Sequence, residues 1–279
     1  MKIINHLLHQ DDGTPVTFKT SPNIGDAVKP EYIVIHYTAG GNAKGAVGWL
    51  CNPASKVSAH LVIGRDGSVT QLVPFDRVAW HAGISQWEGR TGLNAYSIGI
   101  ELDNAGRLVR KEEGWMAAFG GTYSSSQVMQ AAHKHGGAVY GWHIYPEAQL
   151  EALLEVCLAL YDTYQMLDVV GHDDVAPKRK VDPGPAFPME SFRAKIVGRA
   201  DDEPVIYETT ARLPIRIGPG SNFKPVPGGN LLPRGTRLER ITVDGAWWFV
   251  YVIEGVNDLY DLQGWIFSRY IRRIKNSED

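Results

Sequence analysis

The patterning of this chain changes abruptly near residue 200, and that break constrains the fold more than any other feature. Up to about residue 195, short β-branched runs alternate with stretches of helical spacing. Beyond Arg199–Pro204 (RADDEP), a polar stretch ending in proline, the helical period stops. Interleaved strands and helices are the pattern of an α/β domain, in which helices cover a sheet. Short β runs separated by Gly, Pro, Asn and Asp clusters read instead as a small all-β barrel. The sequence therefore predicts a domain over residues 1–198, a linker at 199–204 and a second domain over 205–279, with no internal repeat.

Within the first part, YIVIH (32–36) predicts a buried strand, broken by Gly40 and Gly41. Residues 43–50 place Ala46, Val47 and Leu50 at helical spacing until Asn52-Pro53 stops the pattern. Residues 59–64 and 68–73 predict two strands joined at Arg65-Asp66-Gly67, and SIGIEL (97–102) predicts another buried strand. The clearest helix is 146–165, with Leu150, Leu153, Leu154, Cys157, Leu158, Tyr161 and Tyr164 three or four residues apart. Leu167–Val170 predicts a strand that ends at Gly171-His172. Residues 103–145, rich in Gly, Ser and Lys, fit least well. They are read as an excursion near the active site, with a short helix from Ser126 to His135. In the C-terminal part the predicted β runs are 211–217, 236–243, 246–253 and 263–267.

Composition excludes several classes of function. The net charge of −3 gives no support for nucleic-acid binding or for an anionic membrane surface. No segment approaches the roughly 18 apolar residues of a membrane span. The start, MKIINHLLHQDDG, is interrupted by Asn5, His6 and His9, so no conventional signal peptide is expected. Cys51 and Cys157 are too few for a disulfide framework, and two separate thiols are expected.

Three residues suggest chemistry before any family is considered. His36 closes the first strand in IHYTAG, His172 closes the last strand of the domain in GHDDVAP, and Asp182 follows in KVDPGPAF. Two imidazoles and a carboxylate suit zinc, which commonly takes three protein ligands and leaves a fourth position for water. Histidines at strand ends are also often plain surface or hydrogen-bonded residues, and spacing alone leaves both readings open.

Read together, the motifs carry more. IHYTAG (35–40), AHLVIGRDGSV (59–69), AWHAG (79–83), SIGIEL (97–102) and GHDDVAPKRKVDPGPAF (171–187) occur in this order. The series resembles the type 2 N-acetylmuramoyl-L-alanine amidases, the AmpD and peptidoglycan-recognition-protein superfamily, over roughly residues 30–190. The resemblance implies a mixed central β-sheet flanked by helices, and one zinc ion held by His36, His172 and Asp182. It implies that Glu101 acts as general base toward the attacking water and that Lys180 steadies the developing oxyanion. Where some members have a tyrosine before the hairpin histidine, this chain has Ala59, so Glu101 carries proton transfer alone, as in the AmpD-like branch. His60, Trp80, His81 and Asn94 are candidate substrate contacts. His60 can equally pack or hydrogen-bond beside the site, His81 can brace its loop, and Trp80 and Trp87 can be core. His133, His135 and His143 are expected as surface or loop residues rather than at a second metal.

The C-terminal pieces LPIRIGPGSNF (213–223), LLPRGTRLERI (231–241), WWFVYV (247–252) and GWIFSRYI (264–271) resemble a bacterial SH3-like domain. In wall hydrolases such domains imply peptidoglycan binding, with Asn222, Phe223, Trp247 and Tyr270 as contacts or as core. The implied activity is zinc-dependent hydrolysis of the amide between the lactyl group of N-acetylmuramic acid and L-alanine, in peptidoglycan or muropeptides. A non-catalytic peptidoglycan sensor on the same fold is the alternative. Expected settings are cytoplasmic synthesis followed by action on the wall through phage-type lysis or specialised export, or cytosolic recycling. Nothing in the sequence sets an oligomeric state.

Overall fold

The computed structural model describes residues 1–112, 114–197, 206–229, 231–256 and 259–274; the expected linker at 199–204 lies outside the described residues. The chain packs as two compact units. One comprises Met1–Gly106 with Tyr145–Gly184, the other Arg107–Ile144 with the stretch from Pro185 onward.

The first unit is built on a six-stranded mixed sheet. Its strand order is Asp168–Gly171, Tyr32–Tyr37, Ser97–Leu102, Leu61–Ile63, Val69–Gln71, Thr17–Phe18. The first four strands run parallel, and only the hairpin across Gly64–Ser68 reverses direction. Parallel strands are buried on both faces, which is why YIVIH and SIGIEL read as near-continuous apolar runs. The expected helix over 43–50 is observed as Ala43–Leu50, with the Asn42 side chain accepting from the Gly45 N–H.

The long helix runs from Glu147 to Tyr164, and Pro146 caps it rather than joining its first turn. Its buried stripe is Gln149, Ala152, Leu153, Val156, Cys157, Ala159 and Leu160. The sequence reading centred that stripe on the larger residues, yet Leu158 is exposed. Small residues at the centre let the helix approach closely, and Gln149 donates to the Ile63 and Asp103 carbonyls at 2.9 and 3.2 Å. Cys51 and Cys157 are free thiols.

The second unit holds two five-stranded antiparallel sheets and the helix Met189–Val197. One sheet is ordered Thr122–Tyr123, Gly114–Ala117, Arg107–Lys111, Tyr140–His143, Val128–Ala131. The helix expected from Ser126 to His135 is therefore absent. Ser125–Gln127 makes one 3-10 turn, and Val128–Ala131 then pairs with Tyr140–His143. That pairing buries Val128, Met129 and Ala131, a long-range gain that local spacing does not reveal.

The other sheet is ordered Gln263–Phe267, Trp247–Val252, Arg237–Asp244, Ile206–Thr209, Ile271–Arg273. Its core holds Ile215, Leu232, Leu238, Val250, Val252 and Ile266. The run expected at 211–217 makes only isolated bridges at Leu213 and Arg216, on either side of Pro214, which has no N–H to give a ladder. Ile206–Thr209 and Ile271–Arg273 are strands the sequence reading did not predict. No helix among the described residues is long and apolar enough to cross a membrane.

Candidate active site

In open sheets of parallel strands, ligands gather at the carboxyl ends of the strands. Three neighbouring strands deliver their ends to one place here. His36 is the penultimate residue of Tyr32–Tyr37 and lies directly opposite Glu101 in the register of Ser97–Leu102. His172 follows immediately on Asp168–Gly171, where it opens the one-turn helix His172–Val175 rather than closing the strand. Asp182 arrives on the following loop, and the Asp173 N–H donates to its carbonyl at 2.8 Å. Below them Tyr32, Val34 and Val170 pack with Ala82, Leu93 and Val175, a dry base that holds the strand ends still.

His36, His172 and Asp182 offer three ligand atoms that converge. His36 Nδ1 lies 2.8 Å from His172 Nδ1 and 3.1 Å from Asp182 Oδ2, and His172 Nδ1 lies 2.9 Å from the same oxygen. All three side chains are buried. A tetrahedral zinc with bonds near 2.0–2.1 Å sets its ligand atoms about 3.3 Å apart, so this spacing suits one shared ion of that size. The donor set, two nitrogens and a carboxylate oxygen, is one zinc takes readily. Burial, with the adjacent His172, lowers the His36 pKa to about 4, against the pull of Asp182. Burial pushes Asp182 upward, but the hydrogen bonds to His172 and His36 outweigh it and hold the carboxyl below the usual range. A neutral imidazole and an ionised carboxylate are the forms that bind metal.

Glu101 and Lys180 line the same cleft of about 570 Å³, with Trp49, Trp80, His81 and Arg179 among its other walls. Burial raises the Glu101 pKa to about 8, with Asp182 adding to the rise and Lys180 opposing it. Its Oε2 is buried without a hydrogen-bond partner among the described residues. Such an atom is costly unless a bound group uses it.

The four expected substrate contacts divide. Trp80 lines the cleft. His60 does not contact it: the ring is completely buried, its Nε2 meets the Arg77 carbonyl at 2.9 Å, and its Nδ1 accepts from the Gly99 N–H at 3.0 Å. With both nitrogens bound to backbone, His60 braces the sheet, and the substrate role is corrected. Asn94 is half-buried, and its Oδ1 is taken up by the His81 and Ala82 N–H groups at 3.0 and 2.7 Å. His81 borders the cleft, but its ring nitrogens face His36 Nε2 at 3.0 Å and the Ser97 hydroxyl at 3.3 Å, leaving none for substrate. Trp87 packs against the dry base.

Sequence reading missed Trp49, Arg179 and the roles of Ser97 and Gly99. The alternation in SIGIEL was the available signal. Ser97, Gly99 and Glu101 share the face of His36, while Ile98, Ile100 and Leu102 occupy the other. His133, His135 and His143 belong to the second unit, where the His133 and Trp142 rings sit 5.7 Å apart.

Residues 26–185 match the N-acetylmuramoyl-L-alanine amidase family. The chain is 32% identical over 228 residues to the N-acetylmuramoyl-L-alanine amidase AmiD of Escherichia coli K12, covering 74% of this chain and 70% of that protein. It is 38% identical over 143 residues to the 1,6-anhydro-N-acetylmuramyl-L-alanine amidase AmpD of the same organism, covering 50% of this chain and 59% of AmpD. The matched chain thus spans about three fifths of the length of such AmpD relatives. A crystal structure of an AmpD derivative shares 28% identity at a TM-score of 0.49, covering 70% of this chain and 99% of that one. The chain belongs to the type 2 N-acetylmuramoyl-L-alanine amidase family.

Proposed function

We propose that this protein is a zinc amidase that hydrolyses the bond between the N-acetylmuramic acid lactyl group and L-alanine in peptidoglycan or its fragments. The observation that carries the reading is the convergence of His36, His172 and Asp182 at one end of a cleft that also holds Glu101 and Lys180. His36, His172 and Asp182 would hold zinc, which when bound would supply Lewis acidity and bring the pKa of a water to about 7. Glu101, lining the same cleft, takes the proton of the attacking water and passes it to the leaving L-alanine nitrogen. The Lys180 ammonium faces the negative charge that develops on the carbonyl oxygen. Trp49 (58% exposed) and Trp80 present flat apolar walls to the sugar or the peptide.

The C-terminal part, built on the five-stranded sheet from Ile206 to Arg273, which we read as SH3-like, carries its own groove of about 800 Å³, lined by Trp247, Phe267, Tyr270, Asn222, Arg212 and Arg216. We assign that groove to the cell wall, where tethering raises the local concentration of enzyme on its polymer. We place the site of action at the wall, after phage-type release or specialised export.

The test is zinc content together with release of new L-alanine amino groups from purified sacculi and from soluble anhydro-muropeptides, with and without chelator. A zinc-loaded sample that releases none from either substrate overturns the hydrolytic reading in favour of a sensor. Trp247→Ala with Tyr270→Ala is expected to weaken sedimentation with sacculi several-fold and to leave turnover of soluble fragments unchanged.

A further inference from the structure

The loop that carries His81 touches both candidate zinc histidines on the side away from the metal. We infer that the His81–Ala82 dipeptide, clamped by Asn94, is a positioning device. It holds both histidines with hydrogen on Nε2 and the Nδ1 lone pair turned to the shared ion. The inference rests on the zinc reading above and assigns roles that reading does not need.

The assignment follows from the far end of a hydrogen-bond chain. The Ser97 hydroxyl donates to the Leu93 carbonyl at 2.6 Å, which uses its only hydrogen. Ser97 Oγ can then only accept, so His81 Nε2, 3.3 Å away, carries the hydrogen. The partners of His81 are an imidazole and the hydroxyl and backbone of Ser97, none of which balances a charge, so the ring is neutral and its Nδ1 is a bare acceptor. His36 Nε2, 3.0 Å from that atom, must donate, and the lone pair of His36 is on Nδ1.

His172 reaches the same state by another route. Its Nε2 lies 3.1 Å from the Ala82 carbonyl, which can only accept. Arg179 Nη2 stands 3.5 Å from the same nitrogen, but its two hydrogens are directed at the Ala82 and Ile84 carbonyls, at 2.7 and 2.9 Å. The hydrogen between His172 and Ala82 therefore belongs to His172. One side-chain oxygen, Asn94 Oδ1, fixes the N–H groups of both dipeptide residues. Gly99 completes the seat: a Cβ there would lie 2.3 Å from His81 Cγ, inside the ring's own space.

Outer partners of metal-bound histidines typically contribute 10- to 100-fold in metal affinity. Chelator competition should therefore show His81→Phe binding zinc 10- to 100-fold more weakly than the parent. His81→Asn, whose side-chain oxygen can stand where Nδ1 stood, should recover most of the loss, which a merely space-filling role does not explain. Nitrogen-15 spectra of protein loaded with cadmium-113 should show coupling to Nδ1 of His36 and His172, with hydrogen on both Nε2 atoms. The His81 ring itself, Nε2–H with bare Nδ1, can be read with or without metal. Coupling to Nε2 of either ligand, or a folded His81→Phe that binds zinc within twofold of the parent, overturns the inference. If His81→Phe does not fold, Ser97→Ala, which removes the acceptor for His81 Nε2–H, should still weaken zinc several-fold, and unchanged affinity there counts against the device. A parent chain that takes up no zinc at all, yet shows the assigned His81 tautomer, overturns the zinc reading and upholds the hydrogen-bond chain.

Discussion

The two halves of the cleft floor are built on opposite principles. On the side of His36 and His172, every imidazole nitrogen has a partner: the Nδ1 atoms face each other and Asp182, and the Nε2 atoms meet His81 and Ala82. On the side of Glu101, one register position across the sheet, a buried carboxylate oxygen has none. The satisfied half is arranged to hold something in fixed geometry. The unsatisfied half is arranged to exchange a proton, and its cost is borne by the fold.

Substitutions should separate the two halves by the kind of loss as well as its size. The largest effect is expected at the holding side: Asp182→Ala or His36→Ala should abolish retained zinc and lower amide hydrolysis on the order of 10³-fold or more. Metal analysis of the purified variant and amine release from muropeptides check this. Glu101→Gln should retain its zinc and still lose about 10²–10⁴-fold in kcat. A Glu101→Gln variant without zinc would erase the distinction drawn above. Lys180→Ala should lower kcat by about 10²–10³-fold, again with metal in place.

The smallest effect sharpens the comparison most. In the metal-free protein Glu101 has a pKa of about 8, against 4.5 for an ordinary glutamate. An acid whose pKa is raised by folding keeps its proton in the native chain where the unfolded chain has lost it. Stability is therefore lost as pH rises from about 4.5 to about 8, and levels off above. Glu101→Gln removes that term, so its melting temperature should gain on the parent between pH 5 and pH 8, by a few degrees. His36 and His60, both lowered to about 4 by burial, act in the opposite window, costing stability as pH falls from 6.5 toward 4. Both proteins share that loss, so the difference between their pH profiles isolates Glu101. A constant difference would mean that the carboxyl is not desolvated.

Sequence made the segments bearing His36, Glu101 and His172 legible because each is announced by its own strand. YIVIH, SIGIE and DVVGH are β-branched runs that end in a polar residue, and parallel topology brings such ends together. His60 could not be read the same way. Its partners are the Arg77 carbonyl and the Gly99 amide, backbone groups that no residue identity encodes. The His81 chain was hidden for a related reason, since it depends on which atom of Ser97 is already engaged. Residues 107–144 were misread because their order comes from pairing between segments, as between Val128–Ala131 and Tyr140–His143, while local composition suggested a loop and a helix. Ile206–Thr209 and the edge strand Ile271–Arg273 are short and pair with each other from far apart in sequence, so neither stands out alone.

The triad is drawn from segments that the ribosome completes at very different times. His36 and His172 are 136 residues apart, and Asp182 follows ten later. A nascent chain can finish the strand that bears His36 long before it can close a grip on any ion. Metal capture then becomes a late checkpoint, passed only once strands from both ends of the catalytic unit lie side by side, and a polypeptide halted before Gly171 should leave zinc in solution.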